Sequence, residues 1–264
     1  MPQKKGADVA STGSYRLVDG IAALQPEDQD YNPWFEQQYT TTAEPWSYSR
    51  RGGELYRHAY TVEQLRRFCP NPSSLLELGC SRGLMTARLV PFTKELYAAD
   101  VSLSAVKACK QKCDDLAARH ECAMHYYVTT TPGLPFGEDS FDVVTLCDGM
   151  IGWYFSEEQK QAALEDTHRV LRRGGYAVFT DYTTPDKFAA YAELVAESKL
   201  AVVATTYLYD RPWYLFESLL KKLPGKPVLE PLMASTQAAK LLHRAGGMIG
   251  PAAARHILVI ARKD

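Results

Sequence analysis

Short apolar runs alternate with amphipathic stretches along most of the chain. Residues 74–78, 96–99, 123–128, 141–146, 176–180, 200–207 and 257–261 read as strands. Between them, 84–90, 104–119 and 156–171 carry helical spacing. Ser156-Glu-Glu-Gln159 is a capping box, Gly174-Gly175 reads as the stop of its helix, and Thr184-Pro185 opens another helix with proline in its first turn. Strands alternating with helices predict an α/β fold, a mainly parallel seven-stranded sheet with helices on both faces.

Two regions break this rhythm. Residues 1–30 are polar and aperiodic and are expected to form a mobile N-terminal segment. From residue 31 aromatics crowd the chain: Tyr31, Trp34, Phe35, Tyr39, Trp46, Tyr48 and Tyr56. With a helix over 60–68 that stops before Pro70, they predict an N-terminal aromatic cap over 31–68. Residues 210–255 carry Trp213, Phe216, Leu219 and Leu220 at helical spacing, a proline- and glycine-rich break, and a second helix near 237–243. They form a helical insertion before the last strand: a lid, an interface between copies, or packing. Residues 31–264 read as one domain.

Composition narrows the function. The 264 residues are 46% hydrophobic, enough for a sizeable core, and the net charge is −1 with no basic run. Nucleic acid and membrane surfaces are therefore not expected partners. No apolar stretch reaches the length of a membrane span, and the N-terminus lacks the apolar segment of a secretory signal. A cytoplasmic protein with reduced thiols is the expectation. Cys109, Cys113, His120 and Cys122 lack the tight spacing of a structural zinc site, so no metal is expected.

The chemistry concentrates after the first long-domain strand, in Glu77-Leu-Gly79-Cys80-Ser81-Arg-Gly83. Glycine there lets the backbone turn sharply beside a ligand. The G-x-x-x-G spacing is not that of dinucleotide binders. The carboxylate of Glu77 suits a cationic ligand rather than a pyrophosphate. Asp100 ends the next strand about 20 residues on, where an acidic side chain reaches a ribose.

These features, with AADVS at 98–102, LPFGEDSFDVV at 134–144 and RVLRRGGY at 169–176, resemble the class I S-adenosylmethionine-dependent methyltransferases. The resemblance covers roughly residues 70–182 and implies a Rossmann-like sheet and S-adenosyl-L-methionine as cofactor. By it, Gly79, Cys80, Ser81 and Gly83 line the methionine part, Glu77 lies below it, Asp100 holds the ribose and Val101 flanks the adenine. The usual acidic residue after the third strand is replaced by Thr129-Thr-Thr131, which leaves the adenine amino group to Thr130 or to backbone. The usual proline before the glycine pair is Arg173, a change placed in a surface turn.

Glu44-Pro-Trp46-x-Tyr48, with Glu54 and Arg57, also resembles the opening of nodulation protein S-like N-methyltransferases, which act on amino sugars. That likeness implies that Trp46 and Arg57 close over the cofactor, with Arg57 on its carboxylate.

Methyl transfer mainly requires alignment, so no strict catalytic motif is expected. The acceptor should arrive at Cys147-Asp148-Gly-Met-Ile-Gly-Trp153-Tyr154. Asp148 is the candidate to orient an amine or take a proton, and to touch the cofactor. Tyr154, with Trp153, is the candidate aromatic wall. His58, His168 and His256 are further candidate bases. No [N/D]-P-P-[Y/F] follows this strand, which favours a small diffusible acceptor, methylated on nitrogen or oxygen in a biosynthetic pathway; the oligomeric state is left open, with a homodimer as the candidate. The rivals are a cofactor-binding cyclase or regulatory subunit, and a nicotinamide-dependent oxidoreductase. The latter lacks its Tyr-x-x-x-Lys pair here.

Overall fold

The computed structural model describes residues 15–24, 33–42, 44–148, 155–223 and 226–264. The first element is a hairpin. β1 (Tyr15–Val18) and β2 (Ile21–Leu24) pair antiparallel across Asp19-Gly20, both at positive φ. An Asp-Gly dipeptide between apolar runs favours this tight turn. The sequence expectation of a mobile segment over 1–30 is corrected for these residues, while 1–14 and 25–30 lie outside the described ones. α1 (Pro33–Thr41) and α2 (Gly52–Phe68) follow. α2 begins well before the helix read from the sequence.

The alternating part then runs β3 (Ser74–Leu78), α3 (Thr86–Leu89), β4 (Glu95–Asp100), α4 (Leu103–Arg119), β5 (Ala123–Val128), β6 (Phe141–Cys147), α5 (Glu157–Val170), β7 (Leu171–Tyr182), α6 (Phe188–Ala196) and β8 (Ala201–Leu208). Three helices interrupt it, α7 (Arg211–Leu220), α8 (Lys226–Met233) and α9 (Thr236–Ile249), before β9 (His256–Arg262) closes the chain. The capping box at Ser156 is present. Gly174-Gly175 does not end α5: the helix stops at Val170, and Leu171 already pairs with Phe141 in the sheet. The surface turn read around Arg173 is therefore the opening of β7.

Among the described residues one nine-stranded sheet has the order β1-β2-β5-β4-β3-β6-β7-β9-β8. The seven expected strands are its main body, and the hairpin adds two at one edge. β3 pairs parallel with both β4 and β6, so the strand order reverses between β3 and β6. A crevice opens there beyond the carboxyl ends of the strands. β9 runs antiparallel between β7 and β8, which brings its first residue, His256, to that same edge beside Tyr182.

Period-two alternation distributes the core. Leu75 packs with Val62 and Leu65 of α2 and Leu89 of α3 on one face, whereas Leu76 packs with Leu164 of α5 and Val195 of α6 on the other. A strand covered on both faces reads as a continuous apolar run, as β3 does. On α4, Ala105, Val106, Cys109, Cys113 and Ala117 form the buried stripe.

The insertion packs on α2 through two glycines. A Cβ on Gly53 would lie 2.4 Å from Trp213 Cδ1, and one on Gly52 2.4 Å from the Ser235 carbonyl oxygen. Only a residue without a side chain lets α7 and the start of α9 approach this closely.

Candidate functional site

The glycine loop is held by backbone and by strain-tolerant residues. The Gly79 and Cys80 amides both donate to the Ala99 carbonyl, at 2.8 and 2.9 Å. Gly79, Ser81 and Gly83 have φ of +81°, +48° and +76°. Ser81 thus adopts the left-handed conformation that explains why glycine commonly stands there. Its amide donates to Asp100 Oδ2 at 2.9 Å, and the Ser102 amide donates to Oδ1 at 3.0 Å. Gly83 lies against the sulfurs of Cys109 and Cys113, each 3.0 Å from where its Cβ would stand. These thiols serve as packing under the loop.

Above the loop lies the cap. The Tyr39 hydroxyl donates to Ser81 Oγ at 2.7 Å and accepts from Trp46 Nε1 at 3.3 Å. Arg82 donates to the Tyr39 carbonyl at 3.0 Å. The Glu36 carboxylate accepts from the hydroxyls of Ser102 and Ser104 at the start of α4. Aromatic density flagged this segment in the sequence, but the partners of Glu36 and Tyr39 were not legible. Glu44 accepts from the Ser49 amide and hydroxyl at 2.7 and 2.6 Å, which fixes the turn carrying Tyr48.

A cleft of about 1420 Å³ runs from this cap to the ends of β6, β7 and β9. Trp46, Arg57, Glu77, Gly79, Cys80 and Ser81 line it, and so do Asp100, Val101, Thr130 and Asp148. Gly83 supports the loop from beneath, and Tyr154 lies outside the described residues. Burial pushes the Asp100 carboxyl up to about 6 against the two amide bonds it accepts, and pushes Glu77 up to about 7 against the Thr86 hydroxyl. Desolvation of the charged form is the dominant cause in both.

At the other end the charges are paired. Arg57 is buried and bonds Glu54 Oε2 through Nε at 2.9 Å, His58 Nε2 through Nη2 at 3.2 Å, and the Asp148 carboxylate through Nη2. Its guanidinium lies 5.8 Å from the Tyr48 ring centre. The other Glu54 oxygen accepts from the Tyr214 hydroxyl at 3.0 Å, and Glu217 holds Arg51 at 2.9 Å. Thus α7 joins α2 over the cleft. Burial drives the His58 pKa well down, with Arg57 adding to the effect.

The candidate bases separate. Asp148 is engaged by Arg57 and by Thr180 Oγ1 at 3.4 Å, which makes it an anchoring anion. His58 presents Nε2 to Arg57. His168 sits in the last turn of α5, whereas His58 and His256 both line the cleft.

The residues fit S-adenosylmethionine. Glu77 Oε2 and Arg57 Nη1 are buried without a protein partner among the described residues. One is an acceptor suited to an ammonium, the other a donor suited to a carboxylate, and both face the same cleft. Asp100 keeps acceptor capacity for ribose hydroxyls.

Comparison with known proteins agrees. A family model described as a methyltransferase domain matches residues 75–175. A ubiquinone/menaquinone biosynthesis C-methyltransferase, UbiE, of Psychromonas ingrahamii is 25% identical over 184 residues, 66% of this chain and 70% of its own. The chondramide synthase of Chondromyces crocatus is 27% identical over 164 residues, 61% of this chain but 4% of that much longer protein. Among solved structures, the N-methyltransferase NodS from Bradyrhizobium japonicum, in complex with S-adenosyl-L-homocysteine, superposes with a TM-score of 0.58. It covers 87% of this chain and 96% of its own at 17% identity, a likeness of fold.

The site and the sheet order define an S-adenosylmethionine-dependent methyltransferase of class I. Residues 75–175 are similar to that family's methyltransferase domain, and the overall fold resembles that of NodS. No helix among the described residues is long and apolar enough to cross a membrane.

Proposed function

We propose that this methyltransferase acts on a nitrogen or oxygen of a small diffusible molecule in a biosynthetic pathway. The observation that carries this reading is the cleft. Its volume of about 1420 Å³ exceeds the 300–1,000 Å³ of an ordinary ligand pocket, so it has room for cofactor and acceptor together. It is roofed by α1 on the cofactor side and by Tyr214 of α7 on the other.

The bound cofactor supplies a methyl group already activated on a sulfonium. The chain supplies position. Asp100 takes the ribose, Glu77 and Arg57 take the amino-acid end, and the ion pair of Arg57 with Asp148 fixes the end of β6 where the two substrates meet. Roofing by α1 and α7 excludes water from the reacting atoms, and alignment of this kind is worth about 7–11 kcal/mol.

Calorimetric titration with S-adenosylhomocysteine tests the reading. Binding by the wild type that collapses in Asp100→Ala supports it, followed by a screen of small amines and phenols for methyl acceptance. Folded, ligand-free wild type that does not bind would refute it.

A further inference from the structure

His256 opens β9 level with Tyr182 at the end of β7 and Leu208 at the end of β8. It therefore stands at the reacting edge of the sheet, on the β6 side of the cleft, with β3, β6 and β7 between it and Asp100 on β4. The side chain is buried yet lines the cleft. Its Nδ1 lies 2.5 Å from Asp210 Oδ2. Asp210 is itself oriented, since its other oxygen accepts from the Arg255 amide at 2.9 Å.

A carboxylate only accepts, so Nδ1 carries the proton of the neutral ring and Nε2 carries the lone pair. The Tyr182 and Tyr214 rings flank the imidazole at 5.2 and 6.3 Å and fix its plane. Neither His256 nor Asp210 is among the residues assigned to the cofactor.

We propose that His256 is the general base of this enzyme, that Asp210 is its positioning residue, and that the acceptor is a hydroxyl of phenol or enol type. The proposal rests on the methyl-transfer reading above. A neutral amine offers its lone pair without a base, whereas a hydroxyl must lose its proton as the new bond forms. An imidazole matches the acidity of a phenol or enol, not that of an alkyl alcohol. The acceptor O–H bond breaks and its proton passes to Nε2. The oxygen electron pair forms the bond to the methyl carbon, while the methyl–sulfur bond breaks with its pair kept on sulfur. His256 is left as an imidazolium beside Asp210 and returns the proton to solvent.

The groups that face His256 are Asp210, Glu54, Arg57 and His58 from α2, Asp148 after β6, Asp181 and Tyr182 from β7, and Tyr214 from α7. Burial pushes its pKa down, but Asp210 outweighs burial and the net shift is upward. The base form therefore emerges as pH rises through a value above the ordinary histidine range, and turnover of a hydroxyl acceptor rises with it to a plateau.

The test joins two measurements on the full chain. Nitrogen-15 histidine NMR with S-adenosylhomocysteine present reads the tautomer and titration of His256 in the wild type and in Asp210→Asn. Methyl transfer to a panel of phenols, catechols, enols and small amines is measured for the wild type, Asp210→Asn and His256→Gln. Expected are a proton on Nδ1 of the neutral ring, a lower His256 pKa in Asp210→Asn, and methylation of panel hydroxyls. In His256→Gln, kcat on those hydroxyls falls about 10²–10⁴-fold and the rising pH limb is lost, while S-adenosylhomocysteine affinity stays within about twofold. A neutral ring protonated on Nε2, undiminished kcat in His256→Gln, or a panel in which no hydroxyl is methylated would overturn it. Failure of the wild type to bind S-adenosylhomocysteine would instead strike the methyl-transfer reading beneath it.

Discussion

The Tyr39 hydroxyl donates to Ser81 Oγ at 2.7 Å, joining the cap helix to the left-handed residue of the glycine loop. The cap and the cofactor loop are thereby one unit. Tyr39→Phe removes this bond and leaves Trp46 Nε1 without its acceptor. A net loss of about 1 kcal/mol, roughly fivefold in S-adenosylhomocysteine affinity, is expected. Stopped-flow binding should place most of it in faster dissociation.

Arg57 balances Glu54 and Asp148 in a buried site. Arg57→Met leaves both carboxylates without it, at a cost of about 3–5 kcal/mol measured by urea denaturation. The pair also sets an acid limit. Burial raises the Glu54 carboxyl, but Arg57, with His256 and Arg51, overrides it and holds it at about 2. Its stabilisation is complete above the ordinary 4.5 and is lost as pH falls toward 2. The wild type should lose stability over that window, and Arg57→Met should lose less of it there.

Glu77 at about 7 and Asp100 at about 6 point the other way. Both are raised carboxyls, so their contribution to the free protein is full at low pH and is lost as pH rises through these values. A ligand that brings an ammonium and ribose hydroxyls favours their ionised forms. S-adenosylhomocysteine affinity should therefore rise from pH 5 to 8, with proton release on binding near neutrality. Calorimetry in buffers of different ionisation enthalpy reads that release, and Glu77→Gln should abolish its upper part.

Gly53→Ala tests the roof. Its new methyl group would meet Trp213 Cδ1 at 2.4 Å and push α7 off α2. Overpacking of this kind costs about 1–3 kcal/mol. The melting temperature should fall, and Trp213 fluorescence should shift as the ring becomes exposed.

Much of the fold was legible because its signals are local. The strand runs at 74–78 and 123–128, the capping box at Ser156 and the G-x-x-x-G loop each act over a few residues. The Asp19-Gly20 hairpin is equally local, but its two short apolar runs lie within a longer stretch, 1–30, that reads as polar and aperiodic when taken whole. Gly174-Gly175 misled because a glycine pair after a helix reads as a stop, whereas here pairing between Leu171 and Phe141 had already begun the strand.

The sequence by itself determined the alternating fold, the cofactor loop and Asp100, because strand period, glycine spacing and an acidic strand end express themselves within short windows. Tertiary structure alone decided the rest. Asp148 became the partner of Arg57, and His256 met Asp210 across the helical insertion, because β9 runs antiparallel and returns its first residue to the edge where the parallel strands end. Pairings between residues far apart in sequence leave no periodic trace; they exist only once the sheet order brings the strand ends together.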